Sequence, residues 1–461
     1  MTTAYGYDGL NQLAFIDHKD GAAVAQSFDY TYDKVGNITS VTHEDGSTWD
    51  YLYDGRYRLT SAVRSGGYSE TYTYDAGDNM TSKTVTAAGQ APVVTTFSSG
   101  ANNELLSMSD GTTTTTFAYD DWGRQIAKAD GTYTTDYGYR YGQMLHTVDN
   151  TDPGVDDVTY EYGGDGKRRS RTAGADYTAY NWSGMQLINE EDVAGALTNT
   201  HIHNPFRIWG SVLAEAPGAN PATAVLSYYT HGVRGSTVGL FDAAKNIVGA
   251  FEYNPYGDLR SQTAPEVMHM YTGQIWDPIT QLNLFTMRTY SSSQGRWLTR
   301  EPLGLDGPNL YGYVGGNPIS YVDFHGLFGF IGGALGALGG AIGGGLLGGF
   351  RAWGEGRKFS EGLVGGAKRG AIIGGLVGAF GPFAGPMLAG GAGGFFAWKD
   401  GGDLIDIGGA ALGAGGGAVL GNLAPNKYEG LVAGFLSGLF GLLGDQLDEL
   451  AYGDEPPGGE C

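Results

Sequence analysis

From Tyr5 onward the chain alternates aromatic and polar positions two residues apart, breaks at an aspartate, and then resumes the alternation. The stretches "YGYDGLNQL" (from Tyr5), "YTYDKVGNITSV" (from Tyr30), "YLYDGRYRLTSA" (from Tyr51), "YTYDAGDNMTSK" (from Tyr72) and "FAYDDWGRQIAKA" (from Phe117) superimpose on one another. Period-two patterning predicts strands with one buried face, and the Asp/Gly/Asn cluster between runs predicts a hairpin turn. Aspartate bonds its own backbone there, and glycine accepts positive φ. The aspartates after tyrosine are Asp8, Asp33, Asp54, Asp75 and Asp120, spaced 25, 21, 21 and 45 residues apart. The long gap holds a degenerate unit, "TFSSGANNELLSM", with Ser98 in the aspartate place, and weaker units follow at "YRYGQMLHTV" and "YEYGGDGKRRSRT". Self-similarity of this kind marks a repeat array. Residues 1–265 are therefore expected to be almost wholly β, with the repeat tyrosines alternating between a buried and an exposed face.

After Leu327 the pattern changes. Gly332, Gly336, Gly340, Gly344 and Gly348 recur every fourth residue, as do Gly366 to Gly378, Gly409 to Gly421 and Gly430 to Gly438. That spacing lays each series along one helical stripe, which lets helix backbones approach closely. Each helical glycine costs about 1 kcal/mol against alanine, so a lone soluble helix of this kind is poorly favoured. A bilayer enforces the helix, because the backbone must bond to itself there. Leu327 to Phe350 is 24 residues without a charge and Ala371 to Trp398 is 28, against the ~20 needed to span. The tail, residues 328–461, thus reads as an α-helical glycine-zipper region. Two uses stay open: membrane insertion, or a tightly packed bundle.

Composition narrows the partners. The chain has 461 residues, 81 of them glycine and 30 tyrosine, and a formal charge of −22. Such acidity argues against nucleic acid and against binding anionic lipid by charge alone. The single cysteine, Cys461, excludes an intrachain disulfide. His201 and His203 would face one way on a strand, but no carboxylate or cysteine cluster lies near in sequence. They read as a surface pair, so no metal and no cofactor is expected. The start carries no secretory signal and reads as the inside of a repeat.

The units resemble the YD repeats of the Rhs/YD-repeat family, which includes bacterial polymorphic toxins and the C components of insecticidal toxin complexes. "YYTHGVRGSTVGLFDAAKNIVGAFEYNPYGDLR" (Tyr228 to Arg260) is similar to a further family segment. "YTGQIWDPITQLNLFTMRTYSSSQGRWLTREPLGLDGPNLYGYVGGNPISYVDFHGL" (Tyr271 to Leu327) is similar to the Rhs repeat-associated core nearly throughout. The resemblance implies a mainly β fold in which hairpin repeats wind into a shell enclosing a C-terminal payload, with this chain supplying the closing section. It also implies an order: repeat array 1–265, core 266–327, tail 328–461.

The core contains one phrase twice, Glu301-Pro302-Leu303-Gly304-Leu305 and Asp323-Phe324-His325-Gly326-Leu327. In the family such phrases supply two acids to an aspartyl protease that cuts its own chain after the second Gly-Leu. The resemblance then makes Glu301 and Asp323 the candidate catalytic acids and Arg300 a flanking partner, with the scissile bond after Leu327. The chemistry needs two carboxyls close enough to share a proton. Here glutamate replaces the first aspartate, and Phe324-His325 replaces the usual Pro-x, which is expected to loosen the second turn.

Three functions follow. The first is a non-catalytic shell segment carrying a membrane-active or membrane-anchored tail. The second is an autoprotease acting once on itself, and the third is a module whose tyrosine face binds carbohydrate or protein. The partners implied are an upstream shell or the chain's own tail, a membrane, and an immunity or chaperone protein. The setting is membrane-associated, secreted or cell-surface.

Overall fold

Most repeat units close on the same five-residue turn. Asp33 donates its N–H to the Asn37 carbonyl at 2.9 Å, and the Gly36 N–H returns to the Asp33 carbonyl at 3.2 Å. Asp33 Oδ1 also accepts from the N–H groups of Val35 and Asn37, at 2.9 Å each. Asp8, Asp54, Asp75 and Asp120 bond their own turns the same way. Three residues after each head the backbone is left-handed: Asn11, Gly36, Tyr57, Asp78, Asn103 and Gly123, then Gly166, Gly195, Gly235, Lys245 and Gly257. Glycine, asparagine and aspartate take that conformation at least cost.

This rule corrects one alignment. Gly100 donates to the Glu104 carbonyl at 2.8 Å and accepts from the Asn103 N–H at 3.0 Å. Gly100, not Ser98, therefore heads the degenerate turn. A glycine has no carboxylate to announce the position, which is why the sequence concealed it.

The computed structural model describes residues 2–203, 212–302, 307–324 and Gly326, all within the compact unit Met1–Gly329. Twenty-four strands, from β1 (Thr2–Tyr7) to β24 (Leu259–Gln262), form one antiparallel up-and-down sheet. Each pairs with its neighbours in sequence. The mainly β expectation holds, and among the described residues there is no α-helix and no helix long and apolar enough to cross a membrane. The glycine-zipper tail lies outside the described residues, as do His325 and Leu327.

The first aromatic is buried in six units, at Tyr30, Tyr51, Tyr72, Phe117, Tyr137 and Tyr160, whereas Tyr5 in the first unit is exposed. The second follows a β-bulge, as at Thr31/Tyr32, Leu52/Tyr53 and Thr73/Tyr74. Its hydroxyl donates to a carbonyl at the head of the preceding strand. Tyr32 reaches Leu13 at 2.7 Å, Tyr53 reaches Ile38 at 2.6 Å, Tyr74 reaches Leu59 at 2.8 Å and Tyr139 reaches Gln125 at 2.7 Å. The expected alternation of tyrosines between two faces is thus corrected. Side chains two residues apart share a face, so both tyrosines turn inward while Thr31, Leu52 and Thr73 between them are exposed.

The sheet rolls until its last strands face its first. Gln26 meets Thr230, Trp49 and Arg64 meet Glu252, Tyr74 meets Tyr256, and Lys83 meets Asp258. The core segment after β24 packs against the same inner face. Tyr256 and Ile319 join Tyr30, Tyr51 and Tyr72 in one apolar cluster, and Ile275, Leu282, Leu284 and Leu298 join Tyr137, Tyr160 and Tyr180 in another. Four short strands, β25 (Ile275–Asp277), β26 (Leu282–Leu284), β27 (Thr289–Ser291) and β28 (Arg296–Trp297), stiffen that segment.

Candidate functional site

Turns leave backbone groups that no strand satisfies, and the core segment answers them one repeat after another. Asn317 Nδ2 donates to Asn37 Oδ1 at 2.8 Å, and the Ile38 N–H donates to Ser320 Oγ at 3.0 Å. Asn309 Nδ2 reaches the Asp78 carbonyl at 3.1 Å and Asn79 Oδ1 at 3.0 Å. Asn103 Nδ2 donates to the Pro308 carbonyl at 2.8 Å, and the Tyr311 hydroxyl to the Gly123 carbonyl at 2.7 Å. Thr299 Oγ1 meets Gln143 Oε1 at 3.0 Å. Deeper in, Arg171 forks onto Asp277 at 2.7 and 3.2 Å, and the Tyr160 hydroxyl joins the same carboxylate at 2.5 Å.

The two acid-headed turns converge on one node. Glu301 is 3 % exposed and donates its N–H to the Leu310 carbonyl at 2.9 Å. Arg288 Nη1 donates to that same carbonyl at 3.3 Å, while its Nη2 reaches Asp323 Oδ2 at 3.0 Å. Asp323 is 2 % exposed, and its Oδ1 accepts the Gly326 N–H at 2.8 Å. Arg288 also donates Nε to the Gly326 carbonyl and lies 4.1 Å over the Trp297 ring. Gln274 Nε2 holds the Phe324 carbonyl at 3.2 Å. The chain leading to Leu327 is gripped at alternate carbonyls.

The second turn closes without a proline. Gly326 has φ +76°, and a Cβ there would sit 3.1 Å from Arg288 Cβ and from its backbone nitrogen. Arg300 points elsewhere: its Nη2 pairs with Glu104 at 3.0 Å and its Nε donates to the Tyr311 hydroxyl at 3.2 Å. It serves the seating of the core segment on the turns headed by Gly100 and Asp120. Sequence reasoning missed Arg288, Gln274 and Leu310, because no motif ties them to either acid.

The histidine pair is a further correction. His201 is 3 % exposed, and it meets carboxylates on both sides: Glu190 at 2.8 Å and Glu215 at 3.2 Å. Burial lowers its pKa, but the two flanking carboxylates outweigh burial and raise it to about 9. Burial takes His203 down to about 4. The acids were invisible in sequence because sheet pairing, not chain proximity, delivers them.

Two stretches match family models: residues 32–68 match the RHS repeat, and residues 227–306 match the teneurin YD-shell. Among curated proteins the chain is 27 % identical over 256 residues to the double-stranded DNA deaminase toxin A of Burkholderia cenocepacia, covering 49 % of this chain and 18 % of that one. It is 34 % identical over 94 residues to the uncharacterised protein YlbH of Escherichia coli, covering 20 % of this chain and 39 % of that one. A crystal structure of TcdB2–TccC3 matches with a TM-score of 0.57 at 23 % identity, over 70 % of this chain and 18 % of that one. The Photorhabdus luminescens Tc holotoxin pore matches with a TM-score of 0.57 at 22 % identity and the same coverage. At such identity the likeness is one of fold. The chain spans 18 % of the length of the deaminase toxin and of these structures' chains.

Proposed function

Because the chain is an Rhs/YD-repeat, toxin-like protein, we propose that it is the closing section of a shell whose core segment seals the array and holds the root of the tail. Residues 1–265 would be the array, 266–327 the core and 328–461 the tail. One observation carries this: the core segment is bonded to successive repeat turns, from Asn37 through Asn79, Asn103 and Gly123 to Gln143. Upstream shell and the chain's own tail are the natural partners, and an immunity or chaperone protein would meet the released tail. The setting is secreted or cell-surface. Cutting the chain between array and core tests the reading, since a sealing segment stays bound when its covalent link is gone.

A second reading, one self-cleavage after Leu327, is favoured by the burial of Glu301 and Asp323 and their convergence on Arg288 and Leu310. In that reading one acid activates water and the other protonates the leaving amine. Arg288 orients Asp323, and Arg300 acts only by seating the segment. Purified chain followed by mass spectrometry would release a fragment beginning at Phe328. Asp323→Asn would abolish it, and Glu301→Asp would accelerate it by shortening the reach. A folded Glu301→Asp chain that stays whole leaves the acids with the structural role alone.

The tail is proposed as membrane-active on its glycine spacing, and dye release from liposomes by the intact protein tests it. The tyrosine stripe is better read as core than as a sugar platform. Its first rings are buried, and the hydroxyls of Tyr32, Tyr53 and Tyr74 are spent on backbone carbonyls.

A further inference from the structure

We propose that His201, Glu215 and His269 form a zinc site that ties the entrance of the core segment to the repeat array. The sheet register supplies two donors: β19 (Leu197–His203) and β20 (Val212–Pro217) pair antiparallel with His201 directly opposite Glu215. The third comes from the stretch just after β24, where His269 is 5 % exposed and bridges to Ile275 at the start of the core strands.

The distances suit one ion. His201 Nδ1 lies 3.2 Å from Glu215 Oε1, His269 Nδ1 lies 3.8 Å from that oxygen, and the three atoms fall within 4.8 Å of one another. Ligands ~2.1 Å from a tetrahedral ion stand ~3.4 Å apart, so small side-chain shifts close the site. All three atoms are buried, and the contacts of the two ring nitrogens with Glu215 Oε1 fall short of hydrogen-bond geometry. The His203 Nδ1 is also buried without a hydrogen-bond partner. A cluster of orphaned polar atoms is costly unless something accepts them.

The outer contacts point the same way. His201 Nε2 bonds Glu190 Oε1 at 2.8 Å, which leaves Nδ1 to offer its lone pair inward. His203 Nε2 bonds the Leu187 carbonyl at 2.5 Å, and its ring stands 6.3 Å from that of His269. Carboxylate–histidine–metal relays of this form fix the tautomer and raise ligand basicity. An imidazolium held between two carboxylates would instead donate from Nδ1 to Glu215, and that contact lacks hydrogen-bond geometry. Two imidazoles and a carboxylate suit zinc, whereas calcium and magnesium prefer oxygen alone. The fourth position is left to water or the Tyr229 hydroxyl.

The test uses the full chain, stripped with a chelator and titrated with zinc and with cobalt. One equivalent should bind at micromolar concentration, cobalt should give the visible absorption of a tetrahedral site, and zinc should raise Tm by several degrees. Glu190→Gln, which keeps every ligand, should weaken affinity about 10- to 100-fold. His269→Gln should abolish binding. X-ray absorption of the wild-type zinc protein keeps the proposal falsifiable should that variant not fold, and a nitrogen/oxygen shell with two imidazoles is expected. A folded stripped chain that takes up no zinc, a shell containing sulfur, or a His269→Gln chain that binds as the wild type does would each overturn the site.

Discussion

Arg288 and Asp323 meet at 3.0 Å with both side chains shut off from water, one from β27's approach and the other from the turn before Gly326. The same guanidinium also holds the Gly326 and Leu310 carbonyls and stacks on Trp297. One side chain thus joins both acid-headed turns to the core strands. Such a buried pair is expensive to break from one side, because the remaining charge keeps its desolvation cost without that partner.

Arg288→Met should therefore cost about 3–5 kcal/mol of stability, read as a fall in the urea midpoint. Asp323→Asn should cost less, since the amide oxygen still accepts from the guanidinium. Equal, small effects from the two would show that the pair is peripheral.

Two glycine substitutions separate seating from backbone strain. Gly123 has φ +75°, and a Cβ there would lie 2.3 Å from Arg300 Nε and 2.6 Å from the Tyr311 hydroxyl. Gly111 has φ +88° with nothing within 4 Å. Gly111→Ala should cost about 1–2 kcal/mol, the left-handed penalty alone. Gly123→Ala should cost clearly more in the same thermal melt, because the core segment must also move.

The repeat itself was largely legible in the sequence. Alternation between Tyr30 and Tyr160 gave strands, and Asp33, Asp54 and Asp75 gave turns, because both signals are local and recur. Gly100 was not legible: its turn rests on backbone bonds that no side chain advertises. The inward facing of both tyrosines in each pair, by contrast, follows from the period of two itself and replaces the expected alternating stripe. At the candidate site the acids were found through the doubled phrase. Arg288 and Gln274, 35 and 50 residues from their partners Asp323 and Phe324, were not. Glu215 beside His201 belongs to the same class, since only the β19–β20 register brings them together.

The tyrosine rule predicts an unequal pair of variants. Tyr53→Phe loses one hydroxyl bond to the Ile38 carbonyl and should cost about 1 kcal/mol. Leu59→Ala, at a wholly buried position in the same unit, should cost about 2–5 kcal/mol. Denaturant unfolding measures both, and a larger loss from Tyr53→Phe would contradict the packing described.

Acid should weaken the turns within a defined window. The Thr112 hydroxyl and the N–H groups of Thr113 and Thr112 hold Asp110 down to about 2. At Asp33, burial pulls upward, but bonds from Asn37, Val35 and Gly36 outweigh it and lower the carboxyl. Both folded values lie below the unfolded value of about 4. Their contribution is then complete above about pH 4 and is lost as pH falls through the folded values. The urea midpoint should be flat from neutral to about pH 4 and drop towards pH 2, and Asp110→Asn should remove part of that drop.

The most direct measurement concerns the seal. Pro265 and Glu266 are both exposed in the link between β24 and the core strands, so a protease site inserted between them can be cut in the folded protein. The two pieces should then co-elute from a sizing column under native conditions and part only in denaturant. Separation of the cut pieces in native buffer, with the array still folded, would contradict the claim that the core segment seals the shell.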